Sequence, residues 1–333
     1  MPSTSTCVNV LLIGLVLFSL GGCASAPPLL FQPSYFKSED FIIYQLQPDD
    51  SPGLLAERFL GDGRKDWMIE EANAGITFQP DRFVVIPLRP RNRGGITSKG
   101  VQTIPILCYH RFGNHCASPL CVPEEVFEQQ MQYLKTNGYR VISPRDMIDY
   151  LNYKQPLPSK AVMITVDDGY RSFYSVAYPI LKRYGFTATM FIYTNFVGVS
   201  SKAITWDQLR ELKDNGFTIG SHTIAHSDLS KQDDGESDEA YVRRLRYEIF
   251  ESKRIIDSKL KQDTFFFAYP FGRANQASAL LAREAGYKLA VTVDRGGNPF
   301  FADPYLLRRD QVLKRDMATF KSRLRTFYPI NLR

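Results

Sequence analysis

"ITVDDGYRSF", residues 164–173, runs from an apolar, strand-like segment into two adjacent carboxylates and a glycine. Like charges placed side by side cost free energy unless a cation, a proton or a hydrogen-bond donor compensates them. The stretch predicts a strand that ends in a turn at Asp167 and Asp168. It also predicts a compensating group supplied from elsewhere in the chain.

Working outward, the strand pattern repeats. From residue 103 onward, apolar runs recur at "IPILCY", "KAVMITV", "FTATMFIY", "FTIGSH", "TFFFAYP" and "KLAVTV", with helical stretches between most of them. In "SPRDMIDYL", Ser143 is placed as an N-cap with Pro144 at the first helical position. "EEVFEQQMQYLKTNG" puts Phe127, Met131 and Leu134 on one face and ends at a glycine. A long helix over about 238–260 carries Val242, Leu245, Ile249, Ile256 and Leu260 at helical spacing. Such alternation argues a parallel α/β fold. Seven or so units close most simply as a barrel, an open doubly wound sheet being the alternative. No Gly-rich phosphate loop is present, which argues against a nucleotide cofactor.

The chain has four histidines, His110, His115, His222 and His226. Two fall in "GSHTIAHSD", after another strand-like run. A His-x-x-x-His spacing can bring both imidazoles to one side of a helical turn, as metal chelation requires. One aspartate of "VDDG" would complete a facial set of two histidines and one carboxylate with open positions. Both pieces lie at C-terminal strand ends, where barrel active sites are built. A glycosidase with paired carboxylates is the competing reading. It needs the carboxyls roughly 5 Å or 6.5–9.5 Å apart across a sugar. Adjacent strand residues point in opposite directions, and the histidines would be left without a role.

At 333 residues the chain has room for more than one domain, and its apolar (44%) and charged (23%) fractions are ordinary for globular proteins. The net charge of +6 is spread rather than clustered, which argues against nucleic-acid binding. "VNVLLIGLVLFSLGGC", residues 8–23, has the length of an export signal rather than of a membrane span. Residues 23–40 read as a tether, 41–88 as a compact strand–helix–helix–strand unit with Asp50 or Ser51 as a helix cap, and 89–102 as a basic linker. The remainder, 103–333, is the α/β domain. In an oxidising compartment "CASPLC" is expected to close a disulfide between Cys116 and Cys121, the alternative being two free thiols in a loop.

Three resemblances sharpen these readings. "LGGC" resembles a bacterial lipoprotein cleavage site, although the first ten residues hold no Lys or Arg. It implies a signal peptide over 1–22 and a lipid on Cys23 that ties the chain to a membrane. Ala24 after it favours the outer membrane of a Gram-negative cell, with the protein in the envelope facing the periplasm. "YQLQPDDS" and "FVVIPL" resemble the opening and close of a LysM domain, a small α+β module that binds N-acetylglucosamine-containing glycans. Asp49 and Pro52 depart from that pattern in the loop expected to touch sugar.

"TVDDGY" (165–170) and "SHTIAH" (221–226) resemble the first two motifs of the polysaccharide deacetylase family, the NodB-homology esterases of carbohydrate esterase family 4. The resemblance implies a deformed (β/α) barrel that removes N-acetyl groups from N-acetylglucosamine (GlcNAc) polymers. It implies Asp167 as general base and Asp168, His222 and His226 as ligands of a divalent metal: zinc first, with cobalt, nickel and iron as others. "AYPFG" stands at the third motif, so the backbone N–H of Phe271 would face the oxyanion. The arginine of that motif is replaced by Ala268, and Arg308 or Arg309, with Arg309 preferred, is expected to stand in for it. Asp294 is what remains of the fourth motif, and the C-terminal histidine of the fifth is absent. His110, in a Tyr-His segment, takes the general-acid role, as in the poly-β-1,6-N-acetylglucosamine N-deacetylases. Tyr170 and Trp206 are expected to line the sugar cleft. The expected partner is thus a GlcNAc-containing polysaccharide. Poly-N-acetylglucosamine is favoured and peptidoglycan is the alternative. An inactive glycan-binding lipoprotein is the rival from another class.

Overall fold

The computed structural model describes residues 35–90, 92–313 and 316–330. The expected signal peptide, the cysteine expected to carry lipid and most of the expected tether lie outside the described residues. Among the described residues no helix is long and apolar enough to cross a membrane. The chain divides into a small unit up to Ile86 and a large unit from Pro87 onward.

In the small unit, strands Phe41–Gln45 and Phe83–Pro87 lie side by side and helices Pro52–Leu60 and Asp66–Ala72 connect them. Ser51 is the cap of the first helix, accepting the Leu54 N–H at 3.3 Å. Ile42, Tyr44, Leu55, Ile69, Val84 and Ile86 form the core. Buried Asn73 ties helix to strand, donating to the Ile69 and Val85 carbonyls and accepting the Val85 N–H. The tether ends earlier than its sequence suggests. Tyr35–Lys37 already pairs antiparallel with Ile42–Tyr44, because the turn at Ser38 folds the segment back on the sheet.

The large unit is built on seven parallel strands: β1 (Ile106–Tyr109), β2 (Ala161–Val166), β3 (Thr189–Ile192), β4 (Thr218–Ser221), β5 (Phe266–Ala268), β6 (Leu289–Val291) and β7 (Asp310–Gln311). Their order is β6-β5-β4-β3-β2-β1-β7. Leu307, just before β7, bridges back to Val291 of β6, so the sheet curls almost shut. This is the deformed barrel, and the open doubly wound sheet is excluded.

Alternate residues along the strands face separate cores, as pleating dictates. Leu107, Tyr109, Ile164, Val166 and Met190 pack on the helices with Phe127, Met131, Leu181 and Leu209. Ile106, Met163, Phe191, Phe266, Leu289 and Leu307 form a second, and Phe267 and Ala290 join Leu245, Ile249 and Leu281 in a third. β1 and β2 are buried along their whole length, which is why they read as continuous apolar runs.

Several details correct the sequence reading. Ile96–Thr97 and Gly100–Gln102, placed in the linker, are strands, and the second pairs antiparallel with Phe327–Pro329. Their polar composition hides them. The long helix is continuous over 238–260 but widens to a π-turn at Tyr247–Glu251, and its Val242 is exposed. The expected disulfide between Cys116 and Cys121 is formed, by contrast, beside the short strand Cys121–Pro123.

Candidate active site

The parallel register sets where the motif residues go. Val166 aligns with Tyr109 and with Met190, and Ile192 with Ser221. The next residue of each strand therefore emerges on one rim, and these include His110, Asp167, Tyr193 and His222.

Past β2 the chain turns sharply. Asp168 adopts φ 76° and Gly169 φ 80°. Past β4, Thr223 and His226 adopt φ 74° and 58°, and past β5 Phe271 adopts 58°. Positive φ is costly for a residue with a side chain, and such strain gathers at functional sites. The "SHTIAH" segment is therefore a tight loop and not the helical turn expected from its spacing. The loop still brings the rings together, with centroids 4.8 Å apart.

Asp168 Oδ1 lies 3.7 Å from His222 Nε2 and 3.4 Å from His226 Nε2. The His222 Nδ1–H donates to the Ala268 carbonyl at 2.7 Å, which leaves Nε2 as the free lone pair. Burial holds the His222 imidazole below its ordinary pKa despite the two aspartates nearby, so it is neutral, as a ligand must be. Bonds of about 2.0–2.1 Å at tetrahedral angles put donors roughly 3.3 Å apart. The Asp168–His222–His226 set fits a divalent ion.

Asp167 is engaged differently. Its two oxygens accept a bidentate pair of hydrogen bonds from Arg309 Nη1 and Nη2, both 2.7 Å long. Arg309 is wholly buried, donates also to Thr165 Oγ1 and the Thr292 carbonyl, and lies over the Phe191 ring. Burial pushes the Asp167 carboxyl up, but the charge and hydrogen bonds of Arg309 together with His222 and His110 outweigh it. The carboxyl ends well below its usual range. Of the two arginines left open by the sequence, Arg309 is the one that reaches Asp167. Arg308 lies beside it in sequence, and its backbone N–H and C=O bond Asn298. A ring nitrogen of His110, the Cys108 sulfur and an Asp167 oxygen all lie within 4.8 Å of one another.

Phe271 sits on a short Pro270–Gly272 turn with its ring 4.7 Å from that of His226. Gly272 has φ 66°, and a Cβ there would stand 2.5 Å from the Val293 backbone nitrogen. Gly272→Ala is expected to lower kcat at least tenfold and to melt several degrees lower, since a left-handed residue with a side chain costs about 1–2 kcal/mol before any clash. Wild-type kinetics in that variant would contradict the tight turn.

Aromatic rings line the mouth. Tyr193 stacks on Phe196 at 5.1 Å and meets His226 at 5.3 Å, while Tyr170 abuts Phe196 and carries the Arg111 guanidinium over its face. Trp206, expected to line the cleft, packs against the main core as the first residue of helix Trp206–Asp214. Sequence reading missed Tyr193 and Phe196, although the first directly follows a strand end. It also missed Glu248, whose carboxylate binds Ile224 and Ala225 between the two histidines and Ser227 just after them.

The polysaccharide deacetylase family profile matches residues 154–290, a span that holds Asp167, Asp168, His222, His226 and Phe271 but neither His110 nor Arg309. The Bacillus subtilis (strain 168) protein YxkH is 33% identical over 209 residues, 63% of this chain and 71% of that one. The poly-beta-1,6-N-acetyl-D-glucosamine N-deacetylase of Staphylococcus aureus (strain MRSA252) is 27% identical over 56% of this chain and 66% of its own length. Among solved structures, the Streptococcus pyogenes deacetylase PplD in complex with acetate superposes with a TM-score of 0.60 at 31% identity, covering 67% of this chain and 98% of that one. A curled parallel sheet with its polar residues gathered at one rim, and relatives that share it over most of their length, lead to one assignment: the chain is an enzyme of the polysaccharide deacetylase family.

Proposed function

We propose that the chain is a metal-dependent N-deacetylase of a GlcNAc-containing polysaccharide, with poly-N-acetylglucosamine as its favoured substrate. The observation that carries this reading is the division of labour between adjacent carboxylates. Asp168 faces two imidazole nitrogens, and Asp167 is held by a buried guanidinium. Asp168, His222 and His226 hold a divalent ion, zinc first, and that ion when bound supplies Lewis acidity towards the amide carbonyl and the attacking water. Asp167, ionised throughout the physiological range, takes the proton of that water on a carboxylate oxygen. Arg309 keeps both oxygens aimed while it does so. The Phe271 N–H donates to the oxygen that develops charge as the water adds to the carbonyl. His110 gives a proton to the leaving amine as the C–N bond breaks, which releases acetate and leaves a glucosamine residue in the polymer. The rings of Tyr170, Tyr193 and Phe196 offer faces on which a pyranose can lie.

The relative named for poly-beta-1,6-N-acetyl-D-glucosamine supports the choice of polymer. We assign the small unit to glycan holding as a LysM-type module. A cavity of about 450 Å³ lined by Ile76, Thr77, Gln79 and Arg82 lies within it. Residues 8–23 support lipid anchoring through Cys23 in the cell envelope, at an outer membrane and facing the periplasm.

The test is acetate release from defined β-1,6- and β-1,4-linked GlcNAc oligomers and from peptidoglycan. Treatment with a chelator is expected to lower release at least 100-fold, and added zinc to restore it. Preference for β-1,4 oligomers or peptidoglycan would redirect the substrate assignment. Release that survives full removal of metal would contradict the proposed chemistry, and none from any polymer would favour an inactive glycan-binding protein.

A further inference from the structure

Glu248 is a buried carboxylate that the chemistry above does not use. It is 4% exposed and lies on the π-turn Tyr247–Glu251 of the long helix. Its Oε2 accepts the N–H groups of Ile224 at 2.8 Å and of Ala225 at 3.0 Å, and its Oε1 accepts the Ser227 hydroxyl at 3.0 Å. Ile224 and Ala225 belong to the loop that separates His222 from His226, and Ser227 directly follows His226.

That loop does not hold itself in place. Thr223 and His226 both adopt positive φ, a conformation that persists only when surrounding contacts enforce it. One set of contacts comes from the β3 side, where the N–H groups of Thr194 and Asn195 donate to the Thr223 and Ile224 carbonyls at 3.1 and 3.0 Å. Within the loop, Thr223 Oγ1 accepts the His226 N–H at 3.0 Å. The Thr223 N–H donates to Ser221 Oγ at 3.3 Å, while the Ile224 and Ala225 N–H groups and the Ser227 hydroxyl converge on Glu248. An ionised acceptor makes stronger hydrogen bonds than a neutral one, and a single carboxylate satisfies three donors at once. Widening the helix by one residue per turn at this point aims the side chain into the loop, and π-turns of this kind are frequent at functional sites.

We infer that Glu248 is the positioning residue of the metal centre, fixing the loop so that both Nε2 atoms face Asp168. This rests on the metal-centre reading above. Outer groups that orient ligands are typically worth 10- to 100-fold in metal affinity.

The experiment uses the full chain stripped of metal and titrated with zinc against a chromogenic chelator. Alongside it, hydrogen exchange is followed over residues 221–228 in the metal-free protein. Glu248→Ala is expected to bind zinc about 10- to 100-fold more weakly and to exchange the Ile224 and Ala225 amides faster. Glu248→Gln keeps an oxygen for the two N–H groups and is expected to stay within about tenfold of wild type. Glu248→Asp keeps the charge on a stem one methylene shorter, and is expected to behave as the alanine variant does. It decides the matter on the same readings if that variant fails to fold.

A folded Glu248→Ala or Glu248→Asp that binds zinc as tightly as wild type would overturn the inference and leave the metal centre standing. A wild-type chain that takes up no divalent cation would overturn both.

Discussion

Arg309→Met is expected to be among the most destabilising single changes in the chain. The substitution fills similar space but leaves the Asp167 carboxylate, 2% exposed, without its cationic partner. Breaking a buried ion pair from one side costs about 3–5 kcal/mol, because the remaining charge is uncompensated. For a domain of this size that corresponds to melting roughly 6–20 °C lower. Combining it with Asp167→Asn removes the orphaned charge and is expected to recover most of the loss, a coupling that a double-mutant cycle reads directly. If the single variant melts within a degree or two of wild type, the pair does not hold the barrel rim together.

The acid limb follows from the sign of the shift. The folded-state pKa of Asp167 lies below its unfolded value, near 3.9. The stability this contributes is fully present above about pH 5 and is lost as pH falls below about 4, towards the depressed folded value. In chelator, the stability gap between wild type and the double variant should be flat from neutral pH down to about 5 and should close below about 4.

The second large effect is on turnover. Asp167→Asn is expected to lower kcat about 10²- to 10⁴-fold, the usual worth of a positioned proton acceptor. Zinc affinity should stay within a few-fold of wild type, since Asp168 is the carboxylate that faces the imidazoles. Retained turnover would remove Asp167 from the proton path. Lost zinc would mean that the two aspartates had been assigned the wrong way round.

Sequence reading succeeded where one local physical constraint acts alone. β1 to β6 are legible because burial on both faces demands unbroken apolar runs. Asp167, Asp168, His222 and His226 are legible because few other roles suit those residue types at strand ends. β7 escaped, since two residues, Asp310 and Gln311, carry no periodicity. The loop shape of "SHTIAH" escaped because the same spacing suits a helical turn, and only the contacts from Thr194, Asn195 and Glu248 decide between them. Arg309 was one of two adjacent choices, and its selection depends on how the chain leaves β6 and returns beside β1. Glu248 gave no signal, because a glutamate on a helix is ordinarily a solvated one.

The bridge from Leu307 to β6, followed by β7 beside β1, also bears on the order in which the molecule can be assembled. A growing chain emerges amino end first, and domains form as their segments become available. Asp167 and Arg309 are 142 positions apart in the chain. A nascent polypeptide that has exposed β1 to β6 still lacks the guanidinium that makes the interior tolerable for Asp167. That carboxylate cannot be sealed in before nearly all of the barrel has been synthesised, so half-made chains are denied a finished rim.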